Sequence, residues 1–165
     1  MNLKNYTTST PVINSINRIE YRLSQAGAVH ISKSYDNNRP VGIMFQIMIN
    51  NYPMIFKLPA RQEKVYEFMR KQRKNPPTKV QEDSIRLQAD KVAWKILSDW
   101  VDIQISLIQL DQAEIIELFL PYSCIRYVYN HQVLLNVYCV NCLKLFSFIP
   151  KRIKLYLRGY KRILD

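Results

Sequence analysis

Val12, Ile16, Ile19 and Leu23 follow one another at steps of four, three and four, so they form one apolar stripe of a helix. Thr10 suits its N-cap and Pro11 its first position, where the missing N–H costs nothing. Gly27 is placed to end it with a left-handed residue. The period then drops to two. Val29, Ile31 and Tyr35 alternate with His30, Ser32 and Ser34 as far as the turn-rich Asp36-Asn37-Asn38-Arg39-Pro40. Val41, Ile43, Phe45, Ile47 and Ile49 share one face of a long strand, and Asn50-Asn51-Tyr52-Pro53 turns the chain again. Met54, Phe56 and Leu58 make a third strand, with Lys57 facing the other way. Connections this short imply an antiparallel meander with one face packed on helices.

The helical period returns after Pro59. Residues 61–74 read as a basic helix with Val65, Phe68 and Met69 inward, ended by Asn75-Pro76-Pro77 because the residue before proline leaves helical geometry. A long helix over residues 80–109, about 45 Å if straight, carries Ile85, Ala89, Val92, Ile96, Trp100, Ile103 and Leu107 on its main stripe. Leu87, Val101, Ile105 and Ile108 widen that stripe, which predicts packing on both the sheet and a neighbouring helix. Asp111 and Glu114 have capping-box spacing for a short helix ending near Leu120-Pro121. The fold class is therefore α+β: an N-terminal helix, a three-stranded antiparallel meander, then two to three helices including one long one.

Composition divides the chain. All 165 residues carry 24 Lys+Arg against 13 Asp+Glu, a net charge of +11. Residues 1–122 hold 16 basic and 12 acidic side chains, a net of +4, whereas residues 123–165 hold 8 basic side chains and one acid, a net of +7. Cys124, Cys139 and Cys142 also lie in that last segment. The expected organisation is one α+β domain over residues 1–122 and an atypical basic, Cys- and Tyr-rich tail over residues 123–165. The first ten residues lack the apolar run of a signal peptide, so a cytoplasmic setting with reduced thiols is expected.

Several short motifs carry a likeness. Thr10-Pro11-Val12 with Ser15, Leu23 and Gly27-Ala28, Phe56-Lys57-Leu58-Pro59, Gln88-Ala89 and Ala93-Trp94, Asp99-Trp100-Val101 and Phe119-Leu120-Pro121-Tyr122 together resemble a family of short uncharacterised phage and mobile-element proteins. The resemblance spans roughly residues 9–122. It implies a phage or mobile-element setting and brings with it no activity or site residues.

Candidate chemistry is sparse. Neither GxGxxG nor GxxxxGK[ST] occurs, which excludes Rossmann and P-loop nucleotide sites. His30 sits on the polar phase of a strand, and Glu63, Glu67, Glu82, Asp83, Asp90, Asp99 and Asp102 are spread along basic helices, a pattern that solvated faces explain better than a Mg²⁺ centre. Cys139-x-x-Cys142 has zinc-ligand spacing, and Cys124 with His131 would complete a set. The intervening residues are apolar rather than turn-forming, so unliganded thiols are expected. No catalytic residue, cofactor or metal is expected.

The positive signal is basic. Arg61, Lys64, Arg70, Lys71, Arg73, Lys74 and Lys79 cluster on the second helix and its Pro-Pro loop, with Tyr66 as the local aromatic for base stacking. Nonspecific nucleic-acid binding by a non-enzymatic accessory protein is the leading expectation. A protein-interaction or homo-oligomeric assembly module built on the long helix is the alternative. Membrane-surface contact by the tail is a third, since its apolar residues 133–149 precede Lys151, Arg152, Lys154, Arg158, Lys161 and Arg162. The tail's Tyr, Asn, Cys and Ile richness, almost free of acid, also matches out-of-frame translation of A/T-rich DNA, and a replaced C-terminus is a further expectation.

Overall fold

The structure, a computed structural model, describes residues 3–73 and 76–124, with Tyr52 described in its backbone alone. The elements are α1 (Val12–Gln25), β1 (Ala28–Asp36), β2 (Arg39–Ile49), β3 (Tyr52–Pro59), α2 (Gln62–Lys71), α3 (Lys79–Gln109) and α4 (Ile115–Phe119), closed by a 3-10 turn over Leu120–Tyr122. This is the α+β order that periodicity predicts.

Both hairpins close on two asparagines. Asp36 pairs with Arg39 and Ile49 with Tyr52, and Asn37, Asn38, Asn50 and Asn51 have φ of 46°, 61°, 50° and 64°. Two positive φ values in succession make the turn whose twist matches the flanking strands, and asparagine tolerates that conformation better than other non-glycine residues. Pro40 and Pro53, expected in the turns, instead sit inside strands opposite Tyr35 and Met48.

The sheet order is β1-β2-β3, antiparallel throughout. Ile43, Phe45 and Ile47 of β2 and Met54, Phe56 and Leu58 of β3 are buried, as their alternation predicts. They meet Ile16, Ile19 and Leu23 of α1, Trp94, Val101 and Ile105 of α3, and Phe119 of α4 in one core. Phe45 stacks on Phe56 at 5.2 Å between ring centres and meets Phe119 edge-on at 5.3 Å. β1 departs from expectation: its register shifts between Ala28 and His30 and again between Ser34 and Tyr35. Such bulges re-aim side chains, and Val29 and Tyr35, expected on the covered face, are exposed.

Helix ends differ in detail. Pro11 is the cap residue of α1 rather than its first turn, and its carbonyl accepts from the Asn14 and Ser15 amides. Gly27, at φ 87°, takes the left-handed conformation expected of it. Asp111 does not cap α4. It has φ 53° just past α3, while Glu114 caps α4 and Glu117 reaches back to the Glu114 amide at 3.2 Å.

The long helix buries two opposite faces. Ile85 and Ala89 pack with Tyr66 and Met69 of α2. Beyond Val92 the expected stripe fails: Ile103 is 51% exposed, and Trp94, Ser98, Val101 and Ile105 are buried in its place. At 100° per residue these lie about half a turn from Ile85 and Ala89. One face therefore serves α2, and the other serves α1 and the sheet.

Polar contacts pin the N-terminal segment, α1 and the start of β2 to α3. The Arg39 guanidinium donates to both Asp90 oxygens at 2.6 and 2.8 Å, and this contact, outweighing burial, raises the arginine's pKa further. Arg18 and Arg22 of α1 both pair with Asp102. Asp99 accepts from Lys95 and from Asn5 Nδ2, the latter at 2.9 Å, with Lys4 Nζ 3.7 Å away. Burial pushes its carboxyl pKa up, but the hydrogen bonds from Lys95 and Asn5 and the charges of Lys95 and Lys4 win and hold it below the ordinary 3.8. A depressed folded pKa stabilises the fold above the unfolded value and loses that stability as pH falls through the folded one. The urea-midpoint difference between wild type and Asp99→Asn is therefore expected to be present at neutral pH and to shrink below pH ~4. A difference that persists unchanged into strong acid would refute this.

Candidate nucleic-acid interface

The end of β3 leads straight into the basic helix. The Ala60 amide donates to the Val41 carbonyl at 2.9 Å, and Arg61, at φ 51° and ψ 39°, then turns the chain through a left-handed residue into α2. Gln62, Tyr66 and Met69, at steps of four and three, form the buried face of α2, and the Gln62 side-chain Nε2 donates to the Pro40 carbonyl at 3.0 Å.

This phase reverses two expectations. Tyr66, expected as the exposed base-stacking aromatic, is buried, with its hydroxyl 3.3 Å from Glu82 Oε1 and the Arg86 guanidinium 4.0 Å above its ring. Phe68, expected inward, is 37% exposed. Tyrosine tolerates the interface with α3 because a carboxylate there takes its hydroxyl and an arginine covers its face.

The seven candidate cations separate into groups. Arg61, Lys64 and Lys71 are exposed; Lys64 and Lys71 share one face of α2 with Phe68, at steps of four and three, and Arg61 is the left-handed residue just before the helix. Lys64 also reaches Glu67 at 3.2 Å, an exposed pair of the kind that contributes little. Arg70 turns toward α3 and lies 3.8 Å from Glu82, on the flank where Glu63 pairs with Arg86 at 3.1 Å. Arg73 lies past the end of α2, beside α3, and Lys79 is the exposed first residue of α3. Lys74 lies outside the described residues. The basic face with its aromatic was legible only once the phase of α2 was known, because hydrophobicity alone turns Phe68 inward.

The carboxylates do not converge. Glu63, Glu67, Glu82, Asp90, Asp99 and Asp102 each pair with a lysine or arginine. Among the described residues no group of three or more His, Cys, Asp or Glu side chains is arranged to hold a metal ion, and no helix is long and apolar enough to cross a membrane. Cys124 is an exposed thiol. Cys139, Cys142, His131 and the apolar and basic stretches of the tail lie outside the described residues. Searches against protein-family models, curated proteins and solved structures return no match for this chain.

Proposed function

We propose that this chain is a non-enzymatic accessory protein of a phage or mobile element that binds single-stranded nucleic acid without sequence preference, through the outer face of α2. The setting rests on the sequence resemblance alone. The binding reading rests on one observation: Phe68 is exposed on the same helical face as Lys64 and Lys71, with exposed Arg61 at the start of that helix. A phosphate chain is neutralised by such cations with release of counterions, and any base can stack on an exposed ring whatever its sequence. Duplex recognition through base edges needs a recognition element in a groove, and nothing in the sequence marks one.

The test is fluorescence anisotropy of a labelled oligothymidylate with the full chain at rising salt. Because residues 123–165 add a net +7, the contribution of α2 is read as the difference between wild type and a Phe68→Ala/Lys71→Gln variant. Binding that weakens with salt and falls in the variant is expected; no binding at low salt, or identical curves, would overturn the reading. The exposure of Val80 and Leu87 on α3 favours a second reading, assembly through the long helix. Concentration-dependent sedimentation without strand binding would select it.

A further inference from the structure

The N-terminal half of α3 leaves part of its core-facing seam bare. Val80, Ser84, Leu87 and Lys91 extend, at steps of four and three, the seam that places Trp94, Ser98, Val101 and Ile105 in the core. Yet Val80 and Leu87 are 80% and 65% exposed. The cause is length. The 14 residues of α1 reach ~21 Å and the 31 of α3 ~46 Å, so α1 covers less than half of its partner. Further up, the N-terminal segment lies across α3, pinned by Gln88, whose Nε2 donates to the Tyr6 carbonyl at 3.0 Å and the Thr8 carbonyl at 2.9 Å. That segment, α3 and the C-terminal end of α2 enclose an open cleft of about 430 Å³, within the ~300–1,000 Å³ span of small-molecule sites.

The cleft is positively charged. Arg73 and Lys91 line it, and no carboxylate does. Many basic side chains pair with acids, as Arg18 and Arg22 do with Asp102, Lys33 with Glu20, Arg39 with Asp90, Arg86 with Glu63 and Lys95 with Asp99. Lys57, Arg61, Lys71 and Lys79 lie exposed, outside the lining of this cleft. Among the described residues Arg73 and Lys91 make no ion pair. Two unpaired cations on a concave wall focus a positive potential there. The Thr7 and Ser84 side chains supply hydroxyl groups among the lining residues, and exposed Leu87 offers an apolar surface alongside.

We propose that the cleft binds a phosphate monoester carried by a nucleoside, with Arg73 and Lys91 on the phosphate and Leu87 against the base. Two molecules present that chemistry: a free nucleoside monophosphate and the 5′-phosphorylated end of a strand. The site is separate from the outer face of α2, and the free nucleotide needs no strand binding to enter it.

The test uses the full chain, titrated calorimetrically with deoxythymidine monophosphate and, by anisotropy, with 3′-labelled oligothymidylates bearing either a 5′-phosphate or a 5′-hydroxyl. Charge-assisted contacts from two cations are expected to give a preference of about tenfold or more for the phosphorylated strand, or saturable nucleotide binding. Arg73→Gln/Lys91→Gln abolishes either effect, while Phe68→Ala weakens both strands alike and leaves the ratio between them, and the nucleotide affinity, unchanged. Because the Arg73 and Lys91 side chains make no hydrogen bond or ion pair among the described residues, circular dichroism should show both variants folded. Nucleotide binding without strand preference assigns the free nucleotide; preference without nucleotide binding assigns the strand end. Equal affinity for both strands with no nucleotide binding overturns the proposal, as does an effect that survives Arg73→Gln/Lys91→Gln. Nucleotide binding in a chain that binds neither strand would leave this site standing while refuting the α2 interface.

Discussion

Replacing Trp94 by alanine is expected to lower the stability of the fold by about 3–5 kcal/mol, against the ~5–15 kcal/mol that holds a typical domain folded. Trp94 is fully buried at the middle of α3, where the burial of that helix passes from one face to the other. Its indole Nε1–H donates to the Pro40 carbonyl at 3.2 Å, the same oxygen that accepts from Gln62 of α2 at 3.0 Å. One side chain thus ties the start of β2 to α3, beside the contact that brings in α2. Truncation leaves a cavity and removes a hydrogen bond, whereas Trp94→Phe retains much of the ring and forfeits mainly the N–H, about 1–2 kcal/mol in all. Urea denaturation followed by circular dichroism, with both variants compared to wild type, measures this. A loss below about 1.5 kcal/mol for Trp94→Ala would show that the core collapses around the gap, and that the residue is not the joint described here.

The importance of Trp94 was not legible in the chain, and the reason is instructive. α1 and β2 each pack on one side, so their periods of 3.6 and two read directly as burial. α3 packs on both sides, on α2 above and on α1 and the sheet below. A search for one stripe then runs through Trp100 and Ile103 and misses the residue at the crossover. Its second flank was visible in Val101 and Ile105, both buried, but also took in Leu87, which has nothing packed over it. On β1 two bulges cancelled an alternation that was present in the residues. At the candidate site the cations were legible as a cluster, because they lie close together along the chain. Their sorting was not, since the one acid that engages Arg70 and takes the Tyr66 hydroxyl, Glu82, comes from α3, beyond a loop that local pattern cannot fold.

Charge and stacking on the outer face of α2 should separate cleanly in a binding experiment. Arg61, Lys64 and Lys71 are exposed, and none is buried against a carboxylate. If each neutralises one phosphate of a single strand, changing all three to glutamine should reduce the slope of log affinity against log salt by about 2, at ~0.7 per phosphate. The loss is then largest at low salt and fades as salt rises. Phe68→Ala should behave differently: about 1–3 kcal/mol of binding energy is lost, and the slope stays unchanged because no counterion is involved. A solvated lysine face that merely attracts polyanions would show the first effect without the second. The Arg70→Gln variant serves as the control, since that side chain lies beside Glu82 on the other flank of α2 and should leave both slope and affinity close to wild type. If Phe68→Ala binds like wild type while the charge variant weakens, the ring is not a stacking platform, and binding reduces to sequence-independent electrostatics with no preference for a single strand.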